Sequence, residues 1–131
     1  MTKTIMVIDD YEAIRKMIKK VVSCLIVSDL SYKTIEAEDG IDALQKLKNS
    51  STPINLILCD INMPKMDGIE FLKTLNENDE YSEFKNIPIV MITSEISKEK
   101  TQTVKNLGVK EWIFKPFKLS ELISVIEKTI G

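Results

Sequence analysis

The chain has 131 residues, the length of one domain, and 44% of them are hydrophobic and 29% charged, which excludes global disorder. Eighteen Lys and Arg residues stand against twenty Asp and Glu residues, and the resulting net charge of −2 supplies no general positive field for nucleic acid. We therefore expect a single domain over residues 1–131 that does not bind nucleic acid.

The absence of histidine excludes Ser-His-Asp triads, Cys-His dyads, histidine-ligated zinc and a self-contained phosphohistidine relay. The two cysteines, Cys24 and Cys59, stand inside apolar runs and are too few for a secreted disulfide framework. We predict that both are reduced and buried. The longest nearly apolar run, residues 21–27, is too short to cross a bilayer, and acidic residues interrupt the amino terminus before a signal-peptide core could form. We expect a cytoplasmic protein without a membrane partner.

The hydrophobic pattern alternates between strands and helices along the whole chain. The predicted elements are, in chain order, a strand at 5–8, a helix at 14–25, a strand at 32–37, a helix at 41–48, a strand at 54–59, a helix at 68–76, a strand at 87–92, a helix at 98–107, a strand at 110–114 and a helix at 119–130. The polar connection at 77–86 is predicted to be a solvated surface loop. This alternation indicates an α/β protein with a parallel sheet.

Strand polarity selects the order of the sheet. The first, third and fourth predicted strands are nearly continuously apolar, as strands buried on both faces are. The second and fifth are more polar and partly alternating, which is typical of edge strands. With right-handed crossovers, edges at strands two and five give the order 2-1-3-4-5 in a doubly wound (βα)5 sheet. The order 3-2-1-4-5 would place an apolar strand at an edge.

Acidic residues follow two neighbouring strands where the winding of this sheet reverses, the place where ligands bind to doubly wound sheets. Asp9 and Asp10 follow the first strand, and Asp60 follows the third. Three close carboxylates repel one another unless a cation compensates, and hard oxygen ligands favour Mg²⁺ or Mn²⁺. The sequence therefore predicts a divalent cation site completed by a phosphate-bearing ligand. For Asp9 or Asp10 alone, capping of the next helix is the alternative.

A hydroxyl pair and a cation follow the other two strands of this edge. Thr93 and Ser94 come after the fourth strand and Lys115 after the fifth. A transferred phosphoryl group spreads its charge over three oxygens, so we predict that Thr93 donates a hydrogen bond to it and that Lys115 neutralises it. Taken singly, Thr93 could be a cap or turn residue and Lys115 a solvated charge.

Together these motifs resemble the response regulator receiver domains of two-component signalling, over essentially the whole chain. The motifs are Asp9-Asp10 after an apolar strand, the run from Asp60 to Gly68, then Thr93-Ser94, and finally Lys115-Pro116-Phe117. The resemblance implies a flavodoxin-like fold in which Asp60 accepts a phosphoryl group from a partner's phosphohistidine. It also implies that Asp10, Asp60 and the backbone carbonyl of Asn62 bind Mg²⁺, with Asp9 acting through metal-bound water. Thr93 and Lys115 would hold the phosphoryl oxygens.

Three further expectations come from the same resemblance. Lys115-Pro116 looks like the family's cis peptide, and Gly68 would let the loop turn into the third helix. Trp112 stands where the family carries an aromatic switch residue. Phosphorylation would draw Thr93 toward the phosphoryl group, free space for Trp112 and reshape the face of the fourth helix, fifth strand and fifth helix. The alternative for Trp112 is an edge-strand aromatic that covers the core.

Three further features of the sequence concern the length of one connection, the kinetics of the acyl phosphate and the anchoring of the fourth helix. Residues 21–31 exceed the usual length, so we expect a longer first helix or loop. Asn62 and Glu95 resemble chemotaxis-type receivers, in which these positions influence hydrolysis of the acyl phosphate. The fourth predicted helix has only Val104 and Leu107 as clear apolar anchors, so we expect it to be loosely held.

The resemblance favours a signalling phosphoacceptor that catalyses its own phosphoryl transfer and slow dephosphorylation. Expected partners are a histidine kinase or histidine phosphotransfer protein and a downstream effector, such as a motor or phosphorelay component, since no effector domain follows the last predicted helix. We expect a monomer. A small metal-dependent phosphohydrolase is an alternative, although Asn62 cannot shuttle a proton as the second Asp of dehalogenase-type hydrolases does. A flavin-binding module shares the sheet order, but acids after the first strand would repel its phosphate.

Overall fold

The computed structural model describes residues 2–27, 29–94, 98–109 and 111–130, and at positions 26 and 27 it describes the backbone alone. Five strands form the parallel sheet: β1 (Thr2–Ile8), β2 (Leu30–Ala37), β3 (Leu56–Asp60), β4 (Ile89–Thr93) and β5 (Glu111–Phe114). The helices are α1 (Glu12–Ser23), α2 (Gly40–Asn49), α3 (Gly68–Glu77), α4 (Lys98–Asn106) and α5 (Leu119–Ile130). Each predicted element is present, with ends that shift by a few residues.

The five parallel strands lie in the order β2-β1-β3-β4-β5, which confirms the predicted order 2-1-3-4-5. Strand β1 is central because it pairs with β2 on one side and with β3 on the other; Val7, for example, lies opposite Glu36 and Leu58. The whole of β3 is buried, whereas β2 and β5 include exposed residues. Strand polarity therefore predicted correctly which strands border the parallel part of the sheet.

Two hydrophobic layers cover the faces of the sheet, and alternate residues of each strand point into them. In β1, Met6 and Ile8 belong to the layer beneath α2, α3 and α4, while Ile5 and Val7 belong to the layer beneath α1 and α5. All four of these side chains are at most 1% exposed. The chain therefore places β1 and β3 at the centre of the molecule, and the residues that follow them inherit fixed positions.

The long connection after α1 forms a hairpin that the sequence did not predict. A two-residue strand, Ile26–Val27, pairs antiparallel with the start of β2, and Asp29 in the turn has a positive φ of 68°. The additional length of residues 21–31 therefore extends the edge of the sheet rather than α1, which ends at Ser23. Cys24 is exposed at the C-cap of α1, so the prediction that both cysteines are buried holds for Cys59 and is wrong for Cys24.

Two further differences concern polar segments. Residues 77–86 are largely exposed, as predicted, but they contain a 3₁₀-helix, Asp79–Phe84, whose Tyr81 and Phe84 pack against the core. Strand β1 begins at Thr2 rather than at residue 5, because its polar first residues pair with the polar start of β2. The predicted start of the fifth strand at Lys110 lies outside the described residues. In the described part of the chain, no helix is long and apolar enough to span a membrane.

Candidate functional site

Three charged side chains meet at the carboxyl edge of the sheet. Asp9 directly follows β1, Asp60 is the last residue of β3, and Lys115 directly follows β5. The Lys115 Nζ lies 2.9 Å from Asp9 Oδ2 and 3.3 Å from Asp60 Oδ2, and its side chain is only 18% exposed. The structure thus brings together these three residues from distant parts of the sequence, and Lys115 is not the solvated charge of the alternative interpretation.

The Asp60 carboxylate is held close to its own backbone. The residue is 6% exposed, and its Oδ1 accepts a hydrogen bond of 2.8 Å from the amide of Ile61. Burial raises the pKa of Asp60 above its ordinary value, and the neighbouring Asp9 charge raises it further. Lys115 and the Ile61 amide act in the opposite direction, because they stabilise the charged form. The site therefore contains a carboxylate that is poorly solvated and faces a cation.

Asp9 is fixed on all sides. It is 3% exposed; its amide donates to the carbonyl of Ala37 at 3.1 Å, and its Oδ1 accepts from the amide of Tyr11 at 2.9 Å.

Burial alone would lower the pKa of Lys115, but the hydrogen bonds and charges of Asp9 and Asp60 outweigh it and raise that pKa. Lys115 therefore stays positively charged between the two carboxylates.

Asp10 supplies a third carboxylate at the mouth of the site. It is exposed, and its oxygen lies within a group in which one oxygen each of Asp9, Asp10 and Asp60 are all within 4.8 Å of one another. Three carboxylate oxygens at this spacing are a hard donor set, which fits Mg²⁺ or Mn²⁺. The capping alternative is wrong for both acids, since the N-cap of α1 is Tyr11 and no side chain caps this helix end.

An open cleft joins the acidic edge to solvent. Its lining residues are Asp10, Tyr11, Ala13, Ile14, Asp60, Asn62, Ser94 and Lys115. Asn62 and Ser94 are therefore placed where a ligand of Asp60 would lie. Thr93 is fully buried at the end of β4, and its carbonyl accepts a 2.8 Å hydrogen bond from the Lys115 amide. The sequence drew attention to Thr93, but of the two neighbouring hydroxyls it is Ser94 that lines the cleft.

Gly68, at the start of α3, supports the loop after Asp60 in a way the sequence did not predict. Its φ is not in the left-handed region, so a positive φ is not the reason why glycine stands where the loop turns into α3. A Cβ at this position would lie 2.3 Å from the Asp60 carbonyl oxygen and 2.9 Å from the Ile61 Cα, and the Gly68 amide donates to the Ile61 carbonyl at 2.8 Å. Close approach of two backbones therefore requires glycine here.

The start of α3 is further fixed by a capping box. The Asp67 side chain accepts from the Glu70 amide at 2.9 Å, and the Glu70 side chain accepts from the Asp67 amide. This arrangement satisfies two of the amides that a helix leaves unpaired at its first turn. The loop that carries Asp60 and Asn62 consequently runs into a well-anchored helix.

Trp112 of β5 is not among the residues that line the cleft. Trp112 is partly buried and packs against the layer beneath α4, which agrees with an edge-strand aromatic that covers the core. The Lys115-Pro116 peptide is cis, as expected. Glu95, the other residue linked to kinetics, lies outside the described residues. The switch role of Trp112 stays a prediction.

Arg15 contacts the backbone of the acidic edge, and the sequence analysis did not identify it. Its Nη1 donates to the backbone carbonyl of Asp9 at 2.8 Å, and its Nε donates to Glu36 Oε1 at 3.1 Å. Glu36 Oε2 also accepts a hydrogen bond of 2.7 Å from Lys16 Nζ. The hydrogen bond and charge of Lys16 and Arg15 lower the pKa of Glu36 against the opposing effect of burial. A basic residue one turn into an amphipathic helix gives no signal that distinguishes it from an ordinary surface charge.

Comparison with known proteins gives consistent matches over the full length. A family model described as the response regulator receiver domain matches residues 5–127. Chemotaxis protein CheY1 of Helicobacter pylori is 35% identical over 127 residues, which make up 97% of this chain and 96% of that protein.

Solved structures match the fold and its dimensions as well. The structure of the chemotaxis response regulator CheY4 of Vibrio cholerae superposes with a TM-score of 0.83 and 31% identity, covering 99% of this chain and 100% of that one. The Mn²⁺-bound form of response regulator Rcp1 superposes with a TM-score of 0.74 and 25% identity, covering 96% of this chain and 90% of that one.

Proposed function

The chain belongs to the response regulator receiver domain family and is homologous to chemotaxis response regulators, and from this premise we propose that it is a phosphoacceptor that receives a phosphoryl group on Asp60. The observation that carries the proposal is the position of Asp60: a buried carboxylate at the carboxyl end of a central strand, 3.3 Å from the Lys115 ammonium and beside two further carboxylates. Receiver domains are signalling proteins, so the product is a changed binding surface rather than a released metabolite.

The proposed reaction is a direct transfer between two proteins. A carboxylate oxygen of Asp60 forms a new bond to the phosphorus while the bond from phosphorus to the donor's imidazole nitrogen breaks, and the imidazole keeps the bonding electron pair. Negative charge then lies on the phosphoryl oxygens in the cleft. Lys115 is poised to neutralise that charge, because its pKa is raised and it already contacts the acceptor.

We further propose that Mg²⁺, or Mn²⁺ in its place, binds at this edge. Asp10, Asp60 and the backbone carbonyl of Asn62 would hold the ion and Asp9 would act through its water, and the spacing of the three carboxylates supports this assignment. The bound ion would stabilise charge on the transferring phosphoryl group. The similar protein Rcp1 has been crystallised in an Mn²⁺-bound form, which supports a divalent ion of this type.

The response to phosphorylation is proposed to leave through α4, β5 and α5. Thr93 would move toward the phosphoryl group and Trp112 would turn into the space it vacates. The support is spatial: Thr93 ends β4, and Met91, two residues earlier, lies opposite Trp112 of the adjacent strand β5. Met91 and Trp112 both pack in the layer beneath α4. Since the sequence has a single tryptophan, its fluorescence reports on this residue directly. Unchanged fluorescence and an unchanged Trp112 ring position with a bound phosphoryl mimic would remove the switch from the proposal.

Partners follow from the proposed chemistry. The 131 residues contain no histidine, so the phosphohistidine lies outside them, and we propose that a histidine kinase or a histidine phosphotransfer protein supplies it. The downstream partner is proposed to be a protein effector, such as a flagellar-motor or phosphorelay component, in keeping with the chemotaxis relatives. We propose that the protein acts in the cytoplasm as a monomer.

Intact-mass measurement tests the acceptor. Wild type, Asp60→Asn and Asp67→Asn are incubated with acetyl phosphate and Mg²⁺, and a parallel series contains a chelator. Asp67→Asn is the matched control, since asparagine replaces aspartate well as a helix cap and Asp67 does not line the cleft. We expect one labile phosphoryl group on wild type and Asp67→Asn, and none on Asp60→Asn or with chelator.

Two outcomes would contradict the proposal. An adduct that persists in Asp60→Asn would place the acceptor elsewhere. No adduct on wild type, either from acetyl phosphate or from a phosphohistidine donor, would reduce the cleft to a binding site. Repeated turnover of small phosphate esters would instead favour the phosphohydrolase.

A further inference from the structure

Arg15 connects three elements at the acidic edge. It lies in the first half of α1, and its side chain is only 14% exposed. One arm of the guanidinium donates to the Asp9 carbonyl at 2.8 Å, and Nε donates to Glu36 near the end of β2 at 3.1 Å. A planar guanidinium with two occupied donor directions has little freedom to rotate. The side chain therefore ties α1 to the ends of β1 and β2 at once.

The carbonyl that Arg15 contacts belongs to the peptide bond between Asp9 and Asp10. The other side of Asp9 is fixed as well, because its amide donates to Ala37. The Asp10 carboxylate, in contrast, is exposed and makes no hydrogen bond to the part of the protein that the structure describes. The direction in which Asp10 leaves the backbone thus depends on the plane of the peptide that Arg15 holds.

We propose that Arg15 is a positioning residue for the divalent cation: by holding the Asp9–Asp10 peptide, it keeps the Asp10 carboxylate within reach of those of Asp9 and Asp60. This inference rests on the metal site of the proposed function. Removal of an outer contact that orients a metal ligand typically weakens metal binding by about 10- to 100-fold. Arg15 itself is not among the residues that line the cleft.

Charge and position make opposite predictions for this residue. Arg15 is a cation that contacts the backbone of the acidic edge, so its charge alone opposes the binding of a second cation there. If Arg15 acted through charge, its removal would strengthen Mg²⁺ binding. If it acts by holding the peptide, its removal weakens Mg²⁺ binding in spite of the more negative surroundings. The sign of the change therefore separates the two roles.

The neighbouring Lys16 provides a matched control. Its Nζ contacts the same Glu36 at 2.7 Å, and its removal deletes the same charge, but it makes no contact with Asp9. Lys16→Met should leave Mg²⁺ affinity unchanged or slightly increased. Arg15→Lys keeps the charge and cannot reproduce the planar two-donor contact, so it isolates the geometry.

Calorimetric titration of the full chain with Mg²⁺ alone tests the inference. For Arg15→Met we expect the dissociation constant for Mg²⁺ to be larger by about tenfold, which is the lower end of the usual effect of such outer contacts. For Arg15→Lys we expect a smaller loss in the same direction. Melting curves recorded with a chelator show whether each variant is folded before metal is added, and Arg15→Lys serves if Arg15→Met is not.

Three patterns of results decide between the roles. Weaker binding by both Arg15 variants, with Lys16→Met at or above wild-type affinity, supports the inference. Wild-type affinity in Arg15→Lys, or tighter binding in a folded Arg15→Met, overturns it and leaves the proposed function intact. A wild type that binds no Mg²⁺ overturns the metal site and this inference together.

Discussion

Helices α3 and α4 are neighbours on the same face of the sheet, yet they are anchored very differently. The α3 helix buries four residues, namely Gly68, Phe71, Leu72 and Leu75, and its start is held by a capping box. Of the described residues of α4, Val104 alone is buried. The helix that follows the Asp60 loop is thus built into the core, whereas α4 packs on the core through Val104 and the adjoining partly buried Leu107.

The strands beneath these helices repeat the difference. All five residues of β3 are buried, including Asp60, while in β5 Ile113 is buried and Phe114 is 56% exposed. Regions with few buried contacts open at lower free energy than the core. The molecule therefore combines a fixed end, where Asp60 and its neighbouring acids are held, with an α4–β5 side that has few buried contacts; in the proposed function, this side is the one that responds.

Truncation of one core side chain in each helix should produce the largest contrast. Phe71→Ala is expected to lower the free energy of unfolding by about 3–5 kcal/mol, because a fully buried ring leaves a cavity. Val104→Ala, although also fully buried, should cost about 2 kcal/mol, as expected for two methyl groups, and act mainly on α4. Chemical denaturation measures both. Equal losses would show that α4 is as integral to the core as α3.

Two glycines sharpen the comparison at the level of the backbone. Gly68→Ala forces a Cβ against the Asp60 carbonyl and should lower the free energy of unfolding by about 3 kcal/mol. The same substitution should impair phosphorylation of Asp60. Gly108→Ala, just after α4, has open space but a φ of 92°, so a cost of about 1–2 kcal/mol from strain is expected, without loss of phosphorylation. Denaturation and intact mass test the pair, and normal phosphorylation of Gly68→Ala would contradict the fixed loop.

Glu36 offers a pH-dependent test at the fixed end. Lys16 and Arg15 lower the pKa of Glu36 below its ordinary value of 4.5. At a pH above 4.5 the ion pairs of Glu36 therefore stabilise the fold, and this contribution is lost as the pH falls through the lowered pKa. Glu36→Gln should therefore be less stable than wild type by about 1 kcal/mol at neutral pH. The difference should shrink as the pH falls below 4.5. A difference that is constant with pH in melting curves would exclude this origin.

The smallest effect is expected on the α4–β5 side. Lys128 of α5 lies 2.8 Å from Glu111 of β5, but the lysine side chain is 68% exposed. Exposed pairs of this kind contribute little, so Lys128→Met should change the free energy of unfolding by less than about 0.5 kcal/mol. A loss comparable to that of Glu36→Gln, measured in the same buffer, would mean that the two regions are tied together with similar strength.

Much of the fold was predictable because burial sets the composition of each strand. The apolar runs of β1, β3 and β4 and the mixed edges of β2 and β5 determined the sheet order, and that order placed Asp9, Asp60 and Lys115 at one edge. The two-residue hairpin strand and the 3₁₀-helix were missed because elements of this length carry no usable periodicity.

The finer contacts of the site were not predictable from residue types. Gly68 was expected in a turn, but the constraint is the proximity of the Asp60 backbone, which only the folded chain brings near. The contact of Arg15 with the Asp9 carbonyl and the exposure of Ser94 beside the buried Thr93 depend in the same way on tertiary packing. The residue types in the sequence led to the proposed chemistry, and the three-dimensional structure revealed how the side chains of the site are held.

Peptide-resolved hydrogen exchange tests the central claim, that chemistry at the fixed end is transmitted to the α4–β5 side. Wild type and Asp60→Asn are compared with Mg²⁺ alone and with Mg²⁺ plus beryllium fluoride, a phosphoryl mimic. We expect the mimic to change exchange in residues 98–109 and 111–114 of wild type while residues 68–77 stay protected, with no change in Asp60→Asn. Bound mimic without any change in α4 and β5, or a change confined to α3, would contradict the account.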